Sequence, residues 1–130
     1  MFTLEQIHDA HGKVKSGADF PQFVQDLIEI GVTHYDSYVS NGQTVYYGKD
    51  GFTLSGASKY PNMEVNNVSS SDQLKHAISI HQQGQTDYPT FCKQAAAAGV
   101  EKWTTHMIEM TVTYLDKKGD KLTIEAIPKP

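Results

Sequence analysis

The sequence predicts an α+β fold in which two tandem α-α-β-β(-β) repeats form one antiparallel sheet. Helices pack on one face, and an approximate internal two-fold relates the copies. Three observations carry this expectation. Asp19-Phe20-Pro21-Gln22-Phe23 is echoed by Asp87-Tyr88-Pro89-Thr90-Phe91, 68 residues later. The same offset runs on without a gap, setting Gly31-Val32 on Gly99-Val100, Tyr35 on Trp103, Tyr46 on Tyr114, Gly51 on Gly119 and Leu54 on Leu122. Within each copy the apolar residues change from helical spacing to strand alternation. What repeats is structural punctuation: proline where a helix starts, glycine where one ends, glycine in a turn.

Each element can be justified in order. Upstream, Thr3, Gln6, Ile7, Ala10 and Gly17 match Ser70, Gln73, Leu74, Ala77 and Gly84. Thr3 with Gln6, and Ser70 with Gln73, fit capping boxes that open the first helix of each copy. Leu4, Ile7, His11 and Val14 share one helical face, as do Leu74, Ala77, Ile78 and His81. Gly17 and Gly84 are read as helix ends. Pro21 and Pro89 suit the first turn of the second helices, where a missing N–H costs nothing. Asp19 and Asp87 are read as their caps. The apolar stripes are Phe20, Phe23, Val24, Leu27, Ile28 and Tyr88, Phe91, Cys92, Ala95, Ala96, with Gly31 and Gly99 at left-handed ends. The alanine run Ala95–Ala98 is expected to meet the bulkier Leu27–Ile30 where the second helices pack.

In copy two, His106, Ile108, Met110, Val112 and Tyr114 share one parity and Thr105, Glu109, Thr111 and Thr113 the other, which predicts one half-buried strand. Asp116–Asp120 makes a turn, and Leu122, Ile124 and Ala126 alternate in the returning strand. Copy one reads alike through Thr44–Tyr47, Lys49-Asp50-Gly51 and Phe52–Leu54. It adds Asn41-Gly42, a strong hairpin signal, where copy two has Glu109-Met110. Copy one is therefore expected to bend where copy two runs straight. The expected organisation is a single domain over 1–130. Repeat one spans about 3–54, a connector about 55–69, in which Met63 to Val65 can add a short strand, and repeat two about 70–127.

Composition limits the partners. The 130 residues are 38% apolar and 20% charged, enough for a core and unlike a disordered chain. Eleven Lys and Arg face fifteen Asp and Glu, a formal charge of −4, which argues against a nucleic-acid surface. One cysteine excludes an intrachain disulfide. No stretch approaches the roughly 20 apolar residues of a membrane span, and no basic, apolar leader is seen at the N-terminus. A cytoplasmic location is the expectation.

The chemistry-bearing residues admit two readings each. His11 and His81 lie where the sister copy keeps Val or Ile, and a histidine there costs desolvation without a partner. Either they line a ligand pocket between helix and sheet, with Trp103 and Tyr114 as further ligand contacts, or a backbone carbonyl satisfies them. His8 and His11 are three apart on one helix, yet spacing shows no third ligand, so no metal and no cofactor is assigned. Cys92 with His81 or His106 is the available nucleophile pair, against a small buried hydrophobe at the position of Val24. Glu109 and Glu125 are read on the solvated parity of adjacent strands. Gly48-Lys49-Asp50-Gly51 lacks phosphate-loop spacing and is read as a turn. Tyr35, Tyr38, Tyr46 and Tyr47 crowd the strands of copy one. Parity sets Tyr46 and Tyr47 on opposite faces, so some tyrosines meet solvent or a second chain.

The stretch His81-Gln82-Gln83-Gly84-Gln85-Thr86-Asp87-Tyr88-Pro89-Thr90-Phe91-Cys92, then Ala98-Gly99-Val100-Glu101-Lys102-Trp103, Thr113-Tyr114-Leu115-Asp116 and Glu125-Ala126-Ile127-Pro128, resembles the YbcV-like family of small bacterial proteins. The resemblance spans the chain and is clearest in its second half; Leu115 stands where an aromatic is expected. Members are often labelled phage envelope proteins, which implies prophage association, and the family offers no activity to place on these residues. The sequence thus points to a non-enzymatic binding or interaction protein. It is expected to be homodimeric through a strand edge or a tyrosine-bearing face, with a small-molecule or protein partner. The alternatives are a small enzyme using Cys92 and a phage structural protein.

Overall fold

A computed structural model describes residues 2–15 and 19–128. Its elements are α1 (Leu4–His11), α2 (Phe20–Glu29), β1 (His34–Tyr38), β2 (Thr44–Tyr47), β3 (Thr53–Ser55), α3 (Ser71–Gln82), α4 (Tyr88–Ala97), β4 (Val100–His106), β5 (Thr111–Asp116) and β6 (Lys121–Ala126). The fold is α+β, with six antiparallel strands in the order β3-β2-β1-β4-β5-β6. That order reads outward from the central β1–β4 pair in the same sense on both sides. In that pair Asp36 stands directly opposite Thr104, its neighbour across the strands and the residue 68 positions on. A two-fold relating the halves would cross the sheet at this point.

Local chemistry explains most boundaries. Thr3 and Gln6 form a reciprocal capping box on α1. Ser70 completes only half of one: its side chain accepts from Gln73 N–H, while its own N–H is taken by the Ala98 carbonyl at 2.8 Å. Asp87 caps α4 by accepting from Thr90 N–H at 2.9 Å. Asp19 stands at the N-cap of α2 as expected, but its side chain makes no cap bond, and its carboxylate accepts from Lys15 N–H at 2.9 Å. Helix α1 ends at His11 with Gly12 at its C-cap, so Val14 lies beyond it. Gly17, expected as the helix end, lies outside the described residues.

Two strand expectations are corrected. Copy two does not run straight: a turn over 107–110 separates β4 from β5. At that turn Met110 adopts φ 54°, where the aligned Gly42 of the first hairpin has φ 72°. A β-branch-free but bulky residue thus occupies a left-handed position that favours glycine. Tertiary contacts hold it there: the Met110 carbonyl accepts from Ile127 N–H at 2.7 Å, and its sulfur accepts from the Gln25 amide at 3.6 Å. The segment Met63 to Val65 forms no strand. Instead Met63 N–H bonds the Ser40 carbonyl and Val65 is buried.

Buried residues of both halves share one apolar cluster, including Ile7, Val24, Leu27, Tyr35, Leu74, Cys92, Ala95, Trp103, Val112 and Tyr114. Helices pair chiefly within their own halves, α1 on α2 and α3 on α4, rather than α2 on α4. The small residues of α4 instead admit the connector. Asn66 N–H and its side-chain amide donate to the carbonyls of Ala96 and Ala97, and a Cβ on Gly99 would lie 2.6 Å from Ser69 Cα. No helix among the described residues is long and apolar enough to cross a membrane.

Candidate functional site

Strand pleating sends alternate side chains to opposite faces. Tyr35, Ser37, Trp103, Thr105, Val112 and Tyr114 point to the helices and are buried. The opposite parity of the two central strands places His34, Asp36 and Tyr38 across from His106, Thr104 and Lys102 on the helix-free face. These pairs, with Tyr47 from β2, gather polar and titratable groups on one face of the sheet.

Asp36 is its centre. No helix covers it, yet it is only 6% exposed because neighbouring side chains close around it. The Thr104 hydroxyl donates to Oδ1 at 2.6 Å, while Lys102 Nζ and the Tyr47 hydroxyl reach Oδ2, each at 3.4 Å. Charge-assisted bonds of this kind compensate the desolvation of a buried carboxylate. Lys102 also lies 5.6 Å above the Tyr38 ring, a cation–π placement. Desolvation, with the Asp36 charge second, pushes the Tyr47 phenol above its ordinary range. Beside this cluster the rings of Tyr47 and His34 stack at 4.4 Å and 7°, and His106 follows at 6.2 Å and 26°. Rings so stacked turn their faces to one another, while the Tyr47 hydroxyl reaches Asp36 and His34 Nδ1 meets the Thr33 hydroxyl at 3.1 Å. The arrangement offers imidazole rings, one sequestered carboxylate and one ammonium to whatever meets this face.

The residues singled out from sequence are distributed differently. His106 belongs to this helix-free face, with Thr104 and Lys102, whereas Thr105 is fully buried on the helix side. The single-strand reading had assigned both the other way, because the turn at 107–110 breaks the alternation. Cys92 is buried among the helix-side residues, so the sheet separates it from His106. The hydroxyls of Tyr60 and Tyr88 lie within hydrogen-bonding reach of its sulfur, and burial raises the thiol above its usual range. That is the reverse of an activated nucleophile.

His81 stacks on Phe91 at 4.7 Å, and its Nδ1 meets the Thr86 carbonyl at 3.0 Å and the Thr86 hydroxyl at 3.1 Å. A backbone carbonyl therefore satisfies it. Phe91, Trp103 and Tyr114 continue the same aromatic column at 5.8 Å spacings, filling the space between helix and sheet with rings. His11 is exposed at the end of α1, its ring edge-on to Phe23 at 5.5 Å. Desolvation against that contact, then the charges of Lys59 and His8, lowers its basicity. His11 and His81 thus sit in different halves, each against a phenylalanine of its own helix pair.

Glu125 is not on the solvated face. Tyr114 donates to its Oε1 at 2.7 Å and Gln82 of α3 to its Oε2 at 2.6 Å, while Glu109 is exposed in the 107–110 turn. Burial, then the Glu125 carboxylate, drives the Tyr114 phenol well above its ordinary range. Among the described residues no group of three His, Cys, Asp or Glu is placed to hold a metal ion. His34, Asp36, Lys102 and Thr104 were not singled out by motif. The signal available for them was parity: polar residues at every second position of two segments that the 68-residue offset aligns.

No curated protein matches the chain. A family model described as "Protein of unknown function (DUF1398)" matches residues 8–126. That match takes in all four helices and all six strands apart from the first turn of α1, and with it the whole constellation around Asp36; the chain belongs to the DUF1398 family of proteins of unknown function.

Proposed function

We propose that this protein is a non-enzymatic binding protein that takes a small polar ligand on the helix-free face of its sheet. The observation that carries the reading is Asp36. Its carboxylate sits at the centre of a face that no helix covers, held by Thr104, Tyr47 and Lys102, with the His34 ring stacked on Tyr47 beside it. A buried carboxylate there costs desolvation that an apolar residue would not, and its retention supports the reading. The burial and raised basicity of the Cys92 thiol count against the enzyme alternative.

The rest of the proposal extends the resemblance to YbcV-like proteins. It places the chain in the cytoplasm with a prophage-associated role, as a duplicated unit that pairs with a second copy through an edge strand, β3 or β6. Both strands bond a neighbour on one side only, and β6 carries Ile124 at 54% exposure. The test combines a thermal-shift screen against polar metabolites with light scattering in solution. Stabilisation by a ligand, lost in an Asp36→Ala variant, supports the reading. A protein whose melting no ligand moves overturns it, and large ordered assemblies would favour a phage structural role.

A further inference from the structure

We infer that His34 and His106 together form a two-imidazole site for a divalent transition-metal cation. This deepens the reading above by naming a ligand class for the same face, and it rests on that face being open to ligands. The two residues are direct cross-strand partners at the centre of the sheet, and their ring centroids lie 6.2 Å apart. Directly opposed residues bring their Cβ atoms to roughly 4.5–5.5 Å. An ion held at about 2.0–2.1 Å from each nitrogen sets two imidazole centroids roughly 5–6 Å apart, so the spacing suits a shared ion once the rings turn out of their stacked arrangement and bring one nitrogen of each together.

The Thr33 hydroxyl supplies an oxygen partner for one nitrogen of His34. Thr33 has one hydroxyl proton, and it donates that proton to the Tyr47 carbonyl at 3.1 Å. The same oxygen lies 3.1 Å from His34 Nδ1, where it can then only accept. A cation on Nε2 leaves the ring hydrogen on Nδ1, and the Thr33 oxygen is placed to accept it. This is the outer-sphere pattern of metal-binding histidines, with the second nitrogen tied to an oxygen acceptor. Nitrogen donors of this type suit zinc, copper and nickel. Asp36 is engaged by Thr104 and Lys102, and no third His, Cys, Asp or Glu among the described residues joins the pair. Water completes the coordination, which makes the site open and exchangeable.

The test is calorimetric titration of the untagged full chain with zinc, nickel and copper chlorides at neutral pH. The expected result is one ion per chain, with affinity falling by at least about tenfold in His34→Gln and in His106→Gln. A Thr33→Val variant keeps both imidazoles, frees the His34 Nδ1 hydrogen and is expected to weaken binding about ten- to a hundredfold. It also serves if a histidine variant fails to fold. A His8→Gln/His11→Gln double variant should bind as the parent does. Absence of binding, binding unchanged in the two single histidine variants or in Thr33→Val, or binding lost only with His8 and His11 overturns the site. Failure with metals, alongside stabilisation by a polar metabolite that Asp36→Ala abolishes, would sink the metal site and leave the proposed function standing.

Discussion

Replacing Thr104 with valine removes one hydroxyl and almost no volume, so its effect isolates the 2.6 Å bond to Asp36. Valine keeps the β-branched shape that suits a central strand. The carboxylate it abandons is 6% exposed and has only the longer contacts to Lys102 and Tyr47, each at 3.4 Å. A hydrogen bond to a charged group of this kind contributes about 1.5–3 kcal/mol. Over 130 residues the entropy of unfolding is about 0.27 kcal/mol/K, so melting should fall by roughly 5–11 °C. Lys102→Met should cost less, under about 1 kcal/mol, because that ion pair is long and its lysine is 30% exposed. Thermal and urea melts of Thr104→Val, Asp36→Asn and the double variant supply a cycle, whose coupling should lie between about 0.5 and 3 kcal/mol. A Thr104→Val melt within about 1 °C of the parent, or strictly additive single variants, would refute the assignment of Asp36 as a centre held by Thr104.

Three further outcomes are expected. Cys92 should react with iodoacetamide far more slowly than a free thiol at neutral pH and reach the free rate only in denaturant, since burial raises its thiol; fast labelling of the folded chain would contradict this. Gly99→Ala should cost about 2–5 kcal/mol, combining left-handed strain with a Cβ 2.6 Å from Ser69 Cα, whereas Gly51→Ala, with open space around it, should cost only about 1–2 kcal/mol; equal melting shifts would count against the clash. His11 is less basic in the folded chain than in the unfolded one. Its contribution is therefore complete above about pH 6.5 and declines as pH falls below it, when the unfolded chain takes up the proton more readily. Melting of the parent should consequently drop more steeply between about pH 6.5 and 5 than that of His11→Gln, and parallel profiles would contradict the sign.

The fold was legible where sequence marks a backbone conformation. Gly31, Gly99, Gly51 and Gly119 all adopt positive φ, and Pro21 and Pro89 both stand in first helical turns, so the order of elements followed from residues that few conformations tolerate otherwise. It failed where tertiary contacts override local preference. Met110 takes the conformation of Gly42 because Ile127 and Gln25 hold it, and nothing within Ile108-Glu109-Met110 signals a turn. That one missed turn inverted the assigned faces of Thr105 and His106 and so hid the site. His34, Asp36 and Tyr38 could be found only by knowing which strand lies opposite, since alternation names two faces without saying which one the helices cover. The alanine run of α4 was misread for a related reason: small residues announce a close approach, and here the approaching partner is the connector.

The central position of the β1–β4 pair has a consequence for synthesis. Strand β1 acquires its second neighbour only when residues 100–106 have been made, long after its own hairpin can close. Until then a nascent chain carries an unpaired border in what will become the middle of the sheet, and the apolar side of that border has no α4 to cover it. Ribosome-bound intermediates halted before residue 100 should therefore recruit holdase chaperones, and release from them should coincide with emergence of the second hairpin.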